Sequence, residues 1–185
     1  MNKTAFIFHG TAGYPEENWF PWLKSKLEAK GLQVFVPQFP TPEGQSLEAW
    51  LRVLNPLMEK IGFETIVIGH SLGGIFTLKL LERISSPIKL AVLVGTPIGA
   101  GFVKNFERDS AFAGFEFDWN KIKANAGRFI VYQSDNDPYV GLENGEQLAR
   151  NLGGELSFIP NAGHFNKAAG YTEFPDLLAK IEPLI

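Results

Sequence analysis

In Thr65-Ile66-Val67-Ile68-Gly69-His70-Ser71-Leu72-Gly73-Gly74 a short apolar run meets a serine with a glycine two residues to either side. Thr65 to Ile68 reads as a strand of a parallel sheet, apolar toward both faces. Leu72, Ile75, Phe76, Leu80 and Leu81 then recur at helical spacing. The chain must therefore pass from strand to helix within about two residues. Such a turn holds the serine hydroxyl out in a strained backbone conformation, and side chains at the flanking positions would collide. A tight packing turn, or a phosphate cradle at a helix N-terminus, would use the same glycines. No Gly-Lys-Ser/Thr follows, so a nucleotide-binding P-loop is not supported. A nucleophile at this turn requires a base, an acid and two N–H donors at neighbouring strand ends.

The rest of the chain alternates strand and helix patterns. Ala5 to Phe8 reads as the first strand, followed by the loop His9-Gly10-Thr11-Ala12-Gly13. Asn18 is placed to cap a helix carrying Trp19, Phe20, Leu23 and Leu27 on its apolar side, with Gly31 as its stop. Val34-Phe35-Val36 gives a second strand, and the Pro-, Thr- and Gly-rich loop from Pro37 to Ser46 is a candidate site wall. Leu47, Trp50, Leu51, Leu54, Leu57, Met58 and Ile61 predict a helix that Pro56 should kink or split. Leu90 to Val94, Arg128 to Tyr132 and Leu156 to Ile159 predict three more strands. A helix is expected from about Asn144 to Leu152, and a last one bears Phe174, Leu177, Leu178 and Ile181. This alternation predicts one α/β domain over 1–185, a parallel sheet with helices on both faces.

Composition closes off several functions. Seventeen basic and 20 acidic side chains give a net charge of −3, with no basic run, so nucleic acid is not an expected partner. Cysteine is absent, which removes disulfides, thiolate zinc sites and a cysteine nucleophile together. No metal-ligand spacing occurs among the three histidines. Met1 to Phe8 is too short for the apolar core of a signal peptide and reads as part of a core strand. The longest apolar segment, Leu90 to Val103, is broken by Pro97 and glycines, so no membrane association is expected and the location is expected to be cytoplasmic.

Ligands of open parallel sheets bind beyond the carboxyl ends of the strands. At those ends stand His9, Ser71, the pair Asp135 and Asp137, and His164. The order Ser, Asp, His is the one used by alpha/beta-hydrolases. Ser71 is a poor nucleophile unless an imidazole takes its proton, and His164, in a Gly-His-Phe loop after the last strand, is best placed to do so. His70 adjoins the serine but projects differently, so a packing or hydrogen-bonding role fits it. His9 fits a role in shaping the loop after strand one. Asp137 or Asp135 would orient the base; the spacing Ser134-x-x-Asp137-x-x-Val140 favours Asp137, although turn chemistry alone accounts for an aspartate at either position. The oxyanion hole is expected from the backbone N–H groups of Leu72 and Thr11. Between residues 95 and 127 lie Phe102, Phe106, Phe112, Phe115, Phe117 and Trp119. They predict either a core-packed helical excursion or a partial lid, with Phe102, Phe106 and Phe115 beside His9 as the walls of an apolar pocket.

Phe8-His9-Gly10-Thr11, Asn18-Trp19-Phe20-Pro21-Trp22-Leu23, Gly69-His70-Ser71-Leu72-Gly73, Ser134-Asp135-Asn136-Asp137-Pro138 and Ala162-Gly163-His164-Phe165 together resemble the small single-domain serine hydrolases that include retinoblastoma-binding protein 9 and its bacterial relatives. The resemblance spans nearly the whole chain. It implies a reduced alpha/beta-hydrolase fold of about six parallel strands without a large cap domain, and a triad of Ser71, Asp137 and His164. It also implies small ester, amide or aminoacyl substrates. No cofactor is expected. The vertebrate member's retinoblastoma contact uses a cysteine-containing motif, so a partner of that type is not expected here. A non-catalytic ligand- or protein-binding module on the same fold is the competing expectation.

Overall fold

Six strands form one parallel sheet in the order β2-β1-β3-β4-β5-β6 in a computed structural model that describes residues 3–185. They are β1 (Thr4–Phe8), β2 (Gln33–Phe35), β3 (Thr65–His70), β4 (Leu90–Val94), β5 (Phe129–Gln133) and β6 (Glu155–Phe158). Every residue of β1, β3, β4 and β5 is buried. These strands therefore read as continuous apolar runs, because both faces of the sheet are covered.

Alternate residues of the strands feed two separate cores. Phe6, Phe8, Val67, Leu93 and Val131 pack with α2 (Leu47–Leu54), α3 (Leu72–Leu81), α5 (Trp119–Ala124) and α6 (Leu142–Leu152). Ala5, Ile7, Ile68, Val92, Ile130 and Tyr132 pack on the other face with α1 (Phe20–Glu28) and α7 (Pro175–Ile181). One shift of register would exchange the two sets, so the paired burial pins the alignment. No helix among the described residues is long and apolar enough to cross a membrane.

Strand boundaries differ from the sequence reading by a residue or two, and one other difference has a physical cause. Asn18 does not cap α1. It sits at φ 52°, the residue at the cap is Trp19 with no side-chain cap bond, and Asn18 Oδ1 instead accepts the N–H of Lys167 at 2.8 Å. Pro56 splits the second helical stretch as expected: α2 ends at Leu54, and the chain continues as a tighter 3₁₀ segment over Asn55–Lys60. Of the residues read as the N-terminal strand, Met1 and Asn2 lie outside the described part.

The excursion after β4 contains α4 (Phe106–Ala113) and α5. It is pinned to the loop after β5 by a bridge between Val103 and Val140 and by the Lys104 N–H donating to Tyr139 O at 2.8 Å. Because β2 lies on one side of β1 and β3 on the other, the loops that follow β1 and β3 part at this point. That divergence opens the crevice in which the candidate residues gather.

Candidate active site

β3 ends at His70 and α3 begins at Leu72, so Ser71 alone makes the turn, at φ 54°, ψ −121°. A conformation of this kind costs about 1–3 kcal/mol for a residue with a side chain and persists only where the surroundings enforce it. Here they do. The Ser71 N–H donates to Val94 O at 2.8 Å, and every residue of α3 is buried. A side chain on Gly73 would stand 2.2 Å from Phe8 O, and one on Gly69 would stand 2.4 Å from Gly73 O. The glycines thus let the start of α3 press against the end of β1. Leu72, as the first residue of α3, has an N–H with no acceptor within the helix.

The loop after β1 closes on the serine: a side chain on Gly10 would meet Ser71 Cβ at 3.0 Å. His9 holds that loop. Its Nδ1–H donates to Gly10 O at 2.8 Å and its Nε2 accepts the Phe39 N–H at 3.0 Å, which fixes one neutral tautomer. Burial lowers the pKa of this ring. His9 is wholly buried and does not line the cavity, in contrast to the pocket role expected for it. The Pro37–Ser46 loop also braces rather than lines, with Thr41 Oγ1 accepting the Ala12 N–H at 2.8 Å.

The loops after β5 and β6 are laced together by side chains of one that accept backbone N–H groups of the other. Ser134 Oγ accepts the Ala162 N–H at 3.0 Å, Asp135 Oδ1 the Asn161 N–H at 2.8 Å, and Asn136 Oδ1 the Gly163 N–H at 2.7 Å. The fourth residue, Asp137, meets the ring of His164, with His164 Nδ1 2.7 Å from Asp137 Oδ2. The other oxygen of Asp137 accepts the N–H groups of Tyr139 at 2.8 Å and Val140 at 3.1 Å. Asp137 therefore lies against the imidazole, whereas Asp135 is occupied in tying the loops. No hydrogen bond joins Ser71 Oγ to His164 among the described residues, though both line the same cavity.

His70 points under this assembly. Its Nε2–H donates to the backbone oxygen of His164 at 2.8 Å, and the two rings lie 4.8 Å apart. Burial, with the charge of His164 as a lesser cause, lowers the His70 pKa to about 3. The unfolded chain takes up this proton near pH 6.5, so the stabilising effect of a neutral His70 is complete above that pH and is lost as pH falls toward 3. The expected slope is about 1.4 kcal/mol per pH unit across that interval. Urea midpoints measured from pH 7 to pH 4.5 should fall steeply for the natural protein and less steeply for His70→Gln. Equal slopes would refute the assignment.

Gly10, Thr11, Ser71, His70 and His164 line one side of a cavity of about 510 Å³. Lys104, Asn105, Arg108 and Asp109 from the α4 region line it too, as does Glu17 from the segment after β1. The wall is polar, and Phe102, Phe106 and Phe115 are not part of it, contrary to the apolar pocket expected from the aromatic stretch. Phe102 and Phe106 are 55% and 48% exposed, while Phe115 packs on Phe106 at 5.1 Å between ring centres and against Gly99. Phe112 alone of the stretch is deeply buried, edge-on to Trp50 at 4.9 Å.

Two acidic residues on the wall escaped the sequence reading. Burial pushes the Glu17 carboxyl up to about 7, against an opposing backbone hydrogen bond at Tyr14. Asp109 is 6% exposed, and burial raises its pKa against the pull of Arg108. Its signal was present in the sequence: Asp109 lies three residues before Phe112, on the one buried stripe of α4. Among the described residues no group of three or more His, Cys, Asp or Glu is arranged to hold a metal ion.

A strained serine between strand and helix, an aspartate–histidine pair from the next strand ends and a doubly covered parallel sheet define an alpha/beta-hydrolase-like domain without a large cap. Residues 5–182 match the serine hydrolase family, and the chain belongs to that family. YdeN of Bacillus subtilis (strain 168) is 30% identical over 178 residues, covering 95% of this chain and 92% of that one. The serine hydrolase RBBP9 of Rattus norvegicus is 28% identical over 187 residues, covering 98% and 95%. The crystal structure of the B. subtilis ydeN gene product superposes with a TM-score of 0.88 at 27% identity, covering 99% of this chain and 98% of that one. A meta-cleavage product hydrolase from Pseudomonas fluorescens IP01 shares the fold, with a TM-score of 0.71 at 14% identity and coverage of 98% and 91%.

Proposed function

We propose that this chain hydrolyses a small carboxyl ester or amide through an acyl-serine intermediate, without a cofactor. The observation that carries the reading is the His164–Asp137 pair at 2.7 Å, set in the same cavity as Ser71 on its strained turn. Ser71 Oγ attacks the substrate carbonyl while His164 Nε2 takes its proton. Asp137 holds Nδ1–H and stabilises the imidazolium that forms. The backbone N–H groups of Leu72 and Thr11 receive the developing oxyanion, an effect worth roughly 3 kcal/mol per donor. His164 then gives its proton to the leaving group, and water repeats the sequence on the acyl-enzyme. The missing Ser71–His164 hydrogen bond is compatible with this scheme, since such bonds often tighten only around bound substrate.

A fluorophosphonate probe tests the reading directly. Incubation should add one probe mass per chain, and peptide mapping should place it on Ser71. An unlabelled protein, or a label on another serine, would count against the mechanism. The polar partner is a small molecule; neither the net charge nor the cavity offers a surface for nucleic acid.

A further inference from the structure

Asp109 is the least expected residue on the cavity wall. In α4 its neighbours Glu107 and Arg108 are exposed, yet Asp109 lies with Phe112 on the buried side. Its Oδ1 is shielded from solvent and has no hydrogen-bond partner among the described residues. Arg108 Nε stands 3.6 Å away, too far for a hydrogen bond. That ion pair leaves the buried oxygen without a hydrogen bond, which is costly, so it marks a place where a donor is wanted. Across the same cavity Thr11 Oγ1 is also buried and unpartnered, and it can donate or accept.

We propose that the substrate carries a hydroxyl group close to its scissile bond and that Asp109 is the residue that selects it. The proposal rests on the hydrolytic reading above and extends it to a substrate class, hydroxylated esters. A hydroxyl fits better than an ammonium group for an electrostatic reason. Arg108 already stands against the Asp109 carboxylate and Lys104 lines the same wall, so what Oδ1 lacks is a hydrogen-bond donor rather than another cation, and a hydroxyl supplies one. The wall's aliphatic side chains are small ones, Ala12, Val140 and Ala168, which offer little to a long acyl chain.

The test uses matched ester pairs on the intact protein. The first pair is p-nitrophenyl butyrate against p-nitrophenyl 3-hydroxybutyrate, which places the hydroxyl on the acyl side. The second is propyl acetate against glycerol monoacetate, which places it on the alcohol side. One hydroxylated member should show a kcat/KM at least about tenfold above its partner, the scale of a hydrogen bond to a charged acceptor. In Asp109→Ala that ratio should fall to within about twofold of one, and Asp109→Asn should keep part of it. A wild-type ratio near one in both pairs overturns the proposal whether or not either variant folds. So does a ratio that survives Asp109→Ala, or a clear preference for the 3-aminobutyrate ester over the 3-hydroxybutyrate. Failure of the hydrolytic reading looks different: no ester turns over and Ser71 takes no fluorophosphonate, which removes the proposal as well.

Discussion

Ser71→Ala should lower kcat toward a small activated ester by about 10³- to 10⁶-fold, the range expected when a nucleophile is removed and oxyanion stabilisation remains. The fold should survive the change. Alanine keeps the Cβ atom that a residue at φ 54° must accommodate, and the backbone N–H still donates to Val94 O. The lost hydroxyl takes part in no hydrogen bond with His164, so little stability goes with it. Thermal midpoints within a few degrees of one another, alongside collapsed turnover, would separate chemistry from folding. A variant retaining a tenth of the natural rate would show that some other group attacks the substrate.

The second large effect is expected at Asp137. Asp137→Asn should cost about 10⁴-fold in kcat, because the amide would present an N–H to the ring and force the imidazole into the tautomer that cannot accept the serine proton. The asparagine oxygen would still receive the N–H groups of Tyr139 and Val140, so the loop should stay in place. Asp135→Asn is the control. Its oxygen serves the Asn161 N–H, a task asparagine performs as well, and activity should change by no more than about threefold. Measuring both variants on one ester decides between the carboxylates. Equal losses, or a larger loss at Asp135, would reverse their roles.

Much of the architecture was legible because strand-to-helix alternation and glycine spacing are local properties. The turn at Ser71 needs small neighbours wherever it occurs, and β1, β3, β4 and β5 are apolar on both faces because both are covered. What sequence alone could not resolve were pairings across the chain. Spacing favoured Asp137 over Asp135, but the two share the same turn propensity, and which one meets the imidazole depends on where the β6 loop lies. Asn18 satisfies every rule for a helix cap, yet its carbonyl serves an N–H 149 residues away. Of the two expectations for the aromatic stretch, core packing holds for Phe112, with Phe115, Phe117 and Trp119 against it, while the apolar pocket wall does not, since composition does not say which side of a short helix faces in. On α4 the inward positions are Asp109 and Phe112, and the exposed aromatics belong to neither core nor cavity.

The lacing between the loops after β5 and β6 has a consequence for how the two segments tolerate change. Ser134, Asp135 and Asn136 each hold one of the consecutive N–H groups of 161–163, and Asp137 then meets the ring of His164. The first two partners are crossed, 134 with 162 and 135 with 161, so the bonds form a knot beside the Asp137–His164 pair rather than a ladder. Substituting one of these residues removes one bond, but adding or deleting a residue in either loop displaces several bonds at once and shifts the imidazole relative to its carboxylate. Loops are ordinarily where chain length is free to drift; in these two, length is the property under constraint.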